Sequence, residues 1–168
     1  MGKLTVGSNP TASATMDASA LELSAMNQAL AIARDAGVRG DVPVGAVALH
    51  NGEIIASAGN EREASNDPTA HAELIVLRQA AAQLGSWRLN EVTVVVTLEP
   101  CTMCAGAMVN ARLGRVVFGT FDPKAGAVGS RYNLLADPRL NHEVDVVSGV
   151  EAEAAAELLR AFFATKRS

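Results

Sequence analysis

The only two cysteines of the chain fall in one motif, Pro100-Cys101-Thr102-Met103-Cys104, and His71-Ala72-Glu73 stands upstream of it. Each motif lies where a helix is expected to begin. A Cys-x-x-Cys at a helix start puts both sulfurs on one face, and the positive end of the helix dipole favours their thiolate forms, the species that binds metals. Zinc is the natural ion for that pair. With His71 as a third ligand the set is Cys₂His, one ligand short of the closed tetrahedron of a structural site, so a water is expected in the fourth position. Glu73, two residues from the ligand histidine, reaches that water as a general acid/base without occupying the metal. Such a site performs hydrolysis, and a chain that builds it must bring two helix starts together.

Two other uses of these residues have to be weighed. A Cys-x-x-Cys also serves as a redox pair, but that motif usually comes without an upstream His-x-Glu, and here Pro precedes the first Cys rather than standing between the two. A closed structural site needs a fourth ligand, and the remaining histidines are His50 and His142. His50 abuts an Asn-Gly turn, where a solvent-facing role is the default. His142 follows Pro138 in a loop that suits a capping, surface or substrate contact.

The rest of the chain fits one α/β domain. At 168 residues, 49% hydrophobic and 19% charged, it is sized for a single core, and no apolar run approaches the roughly 18 residues that cross a bilayer. Residues 1–17 are small and polar and are expected to form a disordered tail, leaving 18–168 as a single domain. The first twenty residues hold one Lys and no sustained apolar stretch, so a secretory signal is not expected, and two cysteines in a metal-type motif suit a reducing cytoplasm.

Apolar residues at helical spacing (Leu23, Met26, Leu30, Ala33) predict a helix over 18–36 that stops at Gly37. Val44 to His50, Asn51-Gly52 and Ile54 to Ala58 read as strand, tight turn and strand. Asp67-Pro68-Thr69 reads as a start signal for a helix from His71 to Leu84, closed by Gly85. Val92 to Thr97 is a β-branched run suited to a buried strand, and Pro100 opens a helix from Cys101 to about Ala111. Short strands are expected at Arg115 to Gly119 and Val144 to Ser148. A last helix, Glu151 to Thr165, is expected to turn Leu158, Leu159, Phe162 and Phe163 inward. Strands alternating with helices predict a layered α/β domain.

The two metal motifs resemble those of the zinc deaminases of nucleobases. The likeness extends to Val42-Pro-Val-Gly-Ala46, Asp67-Pro-Thr-Ala-His-Ala-Glu73, Thr97-Leu-Glu-Pro-Cys-Thr-Met-Cys-Ala-Gly-Ala-Met108, Arg115-Val-Val-Phe-Gly119 and Asp122-x-Lys124-x-Gly126-Ala-x-Gly129-Ser130, which are similar to the bacterial tRNA adenosine deaminases. The resemblance implies a cytidine deaminase-like three-layer α/β/α fold with a five-stranded mixed sheet. It implies hydrolytic conversion of adenosine to inosine at the wobble position, the first of the anticodon, with one zinc ion per subunit. His71, Cys101 and Cys104 match the ligands, Glu73 the proton shuttle and Asn60 the purine-contacting asparagine. The alternative within the same zinc chemistry is a guanine or cytosine/cytidine deaminase acting on a free base or nucleoside.

A net charge of −4 argues against indiscriminate attraction to phosphates. Residues 110–140 nevertheless concentrate Arg112, Arg115, Lys124, Arg131 and Arg139 against Asp122 and Asp137. The RNA partner that the resemblance implies, the anticodon stem-loop of an arginine tRNA, should meet that stretch, with Lys124 beside Gly126 and Gly129 as its phosphate contact. The apolar side chains Met103, Met108, Val109, Phe121 and Val128 lead to the expectation of a homodimer.

Overall fold

The computed structural model describes residues 18–167; the expected tail over 1–17 lies outside the described residues. Helix α1 (Ala20–Val38) leads into strands β1 (Gly45–His50) and β2 (Glu53–Gly59). A single turn, α2 (Arg62–Ser65), and helix α3 (Ala72–Leu84) follow, then β3 (Val92–Leu98), α4 (Thr102–Asn110) and β4 (Arg115–Thr120). A 3₁₀ turn at Leu134–Ala136, β5 (Asp145–Val147) and α5 (Ala152–Lys166) complete the chain.

The strands form one sheet in the order β2-β1-β3-β4-β5. β1 runs antiparallel to both β2 and β3, whereas β3, β4 and β5 are parallel, which makes the sheet mixed. Because side chains alternate along a strand, each inner strand feeds two cores. Ala46, Ala48, Val94, Val96, Val116 and Phe118 face the cluster that includes Ala72, Val76, Ala105 and Met108 of α3 and α4. Val47, Leu49, Val95 and Val117 face the cluster that includes Met26, Leu30 and Ala155 of α1 and α5. Three layers result, α/β/α, and the β-branched run of β3 is buried from both sides as its sequence predicted.

Local chemistry sets the element boundaries. Ser19 caps α1 through a capping box: its hydroxyl accepts from the Glu22 N–H at 3.1 Å, and its own N–H donates to the Glu22 carboxylate at 2.9 Å. The helix does not stop at Gly37. It runs on to Val38 and closes at Gly40, whose φ of +93° allows the N–H of Gly40 to bond Gly37 O and that of Asp41 to bond Ala36 O, a Schellman ending. Asn51 and Gly52, both at positive φ, make the expected two-residue hairpin turn between β1 and β2.

Other expectations need correcting. Asp67-Pro68-Thr69 forms a turn of its own, with the Thr69 N–H on the Asp67 carboxylate at 2.8 Å, and α3 starts three residues later with His71 at its N-cap. In α5 only Ala155 is fully buried; Leu158, Leu159 and Phe162 are half-buried, and Phe163 is 42% exposed. That helix packs against β4, β3 and α1, and its outer apolar row, at Phe163, lies beyond what they cover. Of the side chains invoked for a dimer, Met108, Val109 and Val128 are used up in the core, and Met103 and Phe121 remain half-buried. No helix among the described residues is long and apolar enough to cross a membrane.

Candidate functional site

Two helix starts meet below the end of β3. His71 is the N-cap of α3 and Cys101 the N-cap of α4; both have extended backbone angles, and neither spends its side chain on capping. Their side chains are therefore free to turn toward each other. Cys104, one turn into α4 and fully buried, completes the group. His71 Nδ1 lies 3.6 Å from Cys101 Sγ and 3.5 Å from Cys104 Sγ, and the three ligand atoms are all within 4.8 Å of one another. A tetrahedral zinc ion with Zn–S of about 2.3 Å and Zn–N of about 2.0–2.1 Å separates its nitrogen and sulfur ligands by roughly 3.6 Å. The residues thus fit the ion, and they present one face of its tetrahedron with the fourth corner left to another ligand. Neither His50 nor His142 belongs to this group. His142 bonds the Leu113 carbonyl at 2.7 Å, and His50 lies 3.9 Å from Glu91.

The electrostatics suit a cation. The Cys101 thiol is lowered to about 4 by the hydrogen bond from Cys104, by His71 and by the Cys104 backbone N–H, all of which outweigh its burial. Cys104 is pushed up, because it gives its proton to that bond and is buried. The His71 ring is raised, chiefly by its hydrogen bond to Cys101. Glu73, in the first turn of α3, is 4% exposed, and burial raises its pKa above the ordinary carboxylate range. A carboxyl with a raised pKa in a site is suited to carry a proton rather than to sit as a fixed charge.

These groups open onto a cavity of about 140 Å³, lined by His71, Glu73 and Cys101 on one side and by Val42, Val44, Asn60, Arg62, Leu98, Glu99, Asp122 and Ala125 on the others. Asn60 is buried, and its side-chain oxygen accepts the N–H of Ala72, the first residue of α3, at 3.0 Å. The same residue therefore lines the cavity and ties the end of β2 to the helix that carries His71 and Glu73. Lys124 does not line the cavity. It is exposed on the loop after β4, with its N–H on the Asp122 carboxylate at 3.0 Å, between the two lining residues Asp122 and Ala125.

Two buried carboxylates that sequence reasoning assigned no role hold the outer walls. Asp41, 1% exposed, accepts the N–H groups of Glu63 at 2.8 Å and Ala64 at 3.2 Å, and so fixes α2 and the cavity residue Arg62. Glu99, also 1% exposed, holds the loop from Asp122 to Ser130. An acidic residue at the end of a buried β-branched strand is the signal that could have marked Glu99, since a buried charge needs partners.

The MafB19-like deaminase family matches residues 21–167. The chain belongs to this deaminase family. Among these deaminases it is 51% identical to the tRNA-specific adenosine deaminase of Bacillus subtilis (strain 168), across 82% of this chain and 86% of that one. Its fold is similar to a structure from work on A-to-I editing by tRNA:A34 deaminases at the wobble position of transfer RNA, with a TM-score of 0.78 and 46% identity over 81% of this chain and 99% of that one. The guanine deaminase of Bacillus subtilis is more distant, with a TM-score of 0.57 and 36% identity over 58% of this chain and 63% of that one. The deaminase fold accounts for the mixed five-stranded sheet and for the meeting of two helix starts beneath it.

Proposed function

We propose that this chain is a hydrolytic deaminase that converts adenosine to inosine at the wobble position of tRNA, with His71, Cys101 and Cys104 holding one zinc ion per subunit. The observation that carries the chemistry is the three-ligand face with buried Glu73 beside it in a small cavity. The similarity to tRNA-specific adenosine deaminases supports the choice of substrate. When bound, zinc supplies a water acidified toward neutrality as the nucleophile for adenine C6. Glu73 accepts the proton that this water gives up and delivers it to ring N1. It then moves the proton of the hydroxyl newly added to C6 onto the exocyclic amine, which departs as ammonia while the oxygen stays on C6 as the keto group of inosine. Burial suits Glu73 to this, because it holds a proton between transfers. Asn60 orients the purine: its oxygen is committed to Ala72, which leaves its NH₂ for an acceptor on the base. The apolar walls Val42, Val44 and Leu98 exclude bulk water from the base.

An anticodon loop suits such a cavity, since a loop nucleotide is already partly unstacked and costs less to extrude than a paired base. Lys124 and the neighbouring Arg131, both exposed, would meet its phosphates. Because the chain is acidic overall, few phosphate contacts are expected, so the affinity should fall with log salt by only about 0.7 per contact. An arginine tRNA bearing wobble adenosine is the expected substrate and the cytoplasm the expected compartment.

We further read the enzyme as a homodimer of single domains spanning 18–168. An open apolar groove of about 590 Å³ between α3 and α4 includes Leu74, Leu77, Met103 and Ala107, with Trp87 58% exposed at its edge. A surface of that kind next to an active site suits a second copy better than solvent. A mass near 17 kDa by light scattering at micromolar concentration would contradict it.

The substrate test offers the protein, in parallel, an arginine tRNA with wobble adenosine, guanine, cytosine and cytidine. Inosine in the tRNA with little ammonia from the others is the expected result. Ammonia from guanine with no inosine in the tRNA would overturn the reading in favour of a free-base deaminase.

A further inference from the structure

Glu99 stands between β3 and the metal-binding motif and lines the cavity, and its carboxylate reaches into the loop that follows β4. One carboxylate oxygen accepts the Asp122 N–H at 2.9 Å and the Ser130 hydroxyl; the other accepts the N–H groups of Val128 at 3.0 Å and Ser130 at 3.1 Å. Four donors from three residues of one loop converge on a single buried side chain. Only a carboxylate supplies acceptors on both oxygens and no donor; a glutamine in its place would set an NH₂ against backbone N–H groups. The loop is shaped around it. A Cβ on Gly126 would run into the Glu99 carboxylate, so any larger residue there would push that side chain off its donors. The same stretch is pinned to the ligand motif by the Ala127 N–H on the Pro100 carbonyl at 2.8 Å.

The loop carries Asp122 and Ala125, which line the cavity, and Lys124 at its rim. The catalytic wall, by contrast, is carried by α3 and α4, and the loop meets it through the Ala127 bond to Pro100 and the bridge between Gly126 and Cys101. We propose that Glu99 is a positioning residue for substrate: it holds the loop from Asp122 to Ser130 in the shape that closes the cavity around the target nucleotide, and it acts through that loop. The proposal rests on the tRNA reading for its choice of substrate but not for the loop geometry.

The test is Glu99→Gln, with Ser130→Ala as a milder variant that removes one of the four donors. Three quantities are read: zinc per subunit, KM and kcat on the arginine tRNA, and hydrogen exchange of the Asp122, Val128 and Ser130 amides. Loss of charged hydrogen bonds should raise KM about tenfold or more in Glu99→Gln and about threefold in Ser130→Ala, with kcat changed by less than about threefold. Zinc should stay at one per subunit, and the three amides should lose protection in Glu99→Gln. Unchanged KM, a loss confined to kcat, or a loss that follows zinc would overturn the proposal. If Glu99→Gln fails to fold, the KM of Ser130→Ala decides. If the wild-type protein makes no inosine, the tRNA reading fails, and the amide exchange alone then judges the loop: protection equal to wild type in Glu99→Gln would sink the positioning role.

Discussion

The two sides of the cavity are built by different means. On one side, every reactive group sits within the first turn of a helix or at its N-cap: His71 and Glu73 on α3, Cys101 and Cys104 on α4. Within each pair the spacing along the sequence sets the spacing in space, and the helices that bring the two pairs together are anchored in the core through Ala72, Val76, Ala105 and Met108. On the other side, irregular segments are held at a distance by buried carboxylates. Asp41 reaches residues 63 and 64, and Glu99 reaches 122, 128 and 130. Both carboxylates grip backbone N–H groups, and Glu99 the Ser130 hydroxyl as well, so they fix the path of the chain. In the proposed reading, chemistry is set by the rigid wall, and the fit to substrate by the gripped one.

The sharpest way to break this division is to damage the rigid wall. Cys104→Ser should abolish zinc binding and turnover together and lower the melting temperature, because metal binding is coupled to folding. Full zinc occupancy in that variant, measured by elemental analysis, would remove Cys104 from the ligand set. Glu73→Gln separates proton transfer from metal binding: zinc and fold should be kept while kcat falls by about 10²–10⁴. Normal turnover without Glu73 would mean that the proton travels by another route. A third variant sharpens the contrast from outside both walls. Met26→Ala empties a fully buried position on the far face of the sheet and should cost about 2–5 kcal/mol of stability in denaturant unfolding with KM and kcat unchanged. A changed KM would show that the far core shapes the cavity.

The rigid wall was legible in the sequence and the gripped wall was not, for a physical reason. Helix starts, the Asn51-Gly52 hairpin and the β-branched run of β3 are local signals, and the ligands fall on them. Asp41 and Glu99 act on N–H groups some twenty to thirty residues away, and every residue type offers such a donor, so no side-chain pattern marks their targets. The same limit explains Gly37. Glycine tolerates a helix end but does not impose one, and the ending at Gly40 depended on Asp41 closing back onto Ala36. Phe163 was misread because helical spacing reports which residues share a face, while the amount of sheet available to cover that face is a property of the fold.

The smallest expected effect concerns pH. The Glu22 carboxylate is pushed up by burial, but Arg115 at 2.7 Å and the Ser19 N–H outweigh that and hold it below its ordinary value of 4.5. A group with a depressed folded pKa stabilises the fold above its unfolded value and loses that contribution as the pH falls through the folded one. Glu22→Gln should therefore remove part of the loss of stability below pH 4.5, by about 1 kcal/mol or less. Equal acid sensitivity in the variant and the wild type would assign the effect to other carboxylates.

The central claim is that this rigid wall adds water to wobble adenosine. Incubating the zinc-loaded protein with an arginine tRNA in oxygen-18 water and reading the anticodon by nucleoside mass spectrometry tests it most directly. The account predicts inosine at the first anticodon position carrying one oxygen-18, and none in Glu73→Gln. Adenosine left intact by the wild-type protein, or inosine formed without label from the water, would contradict it.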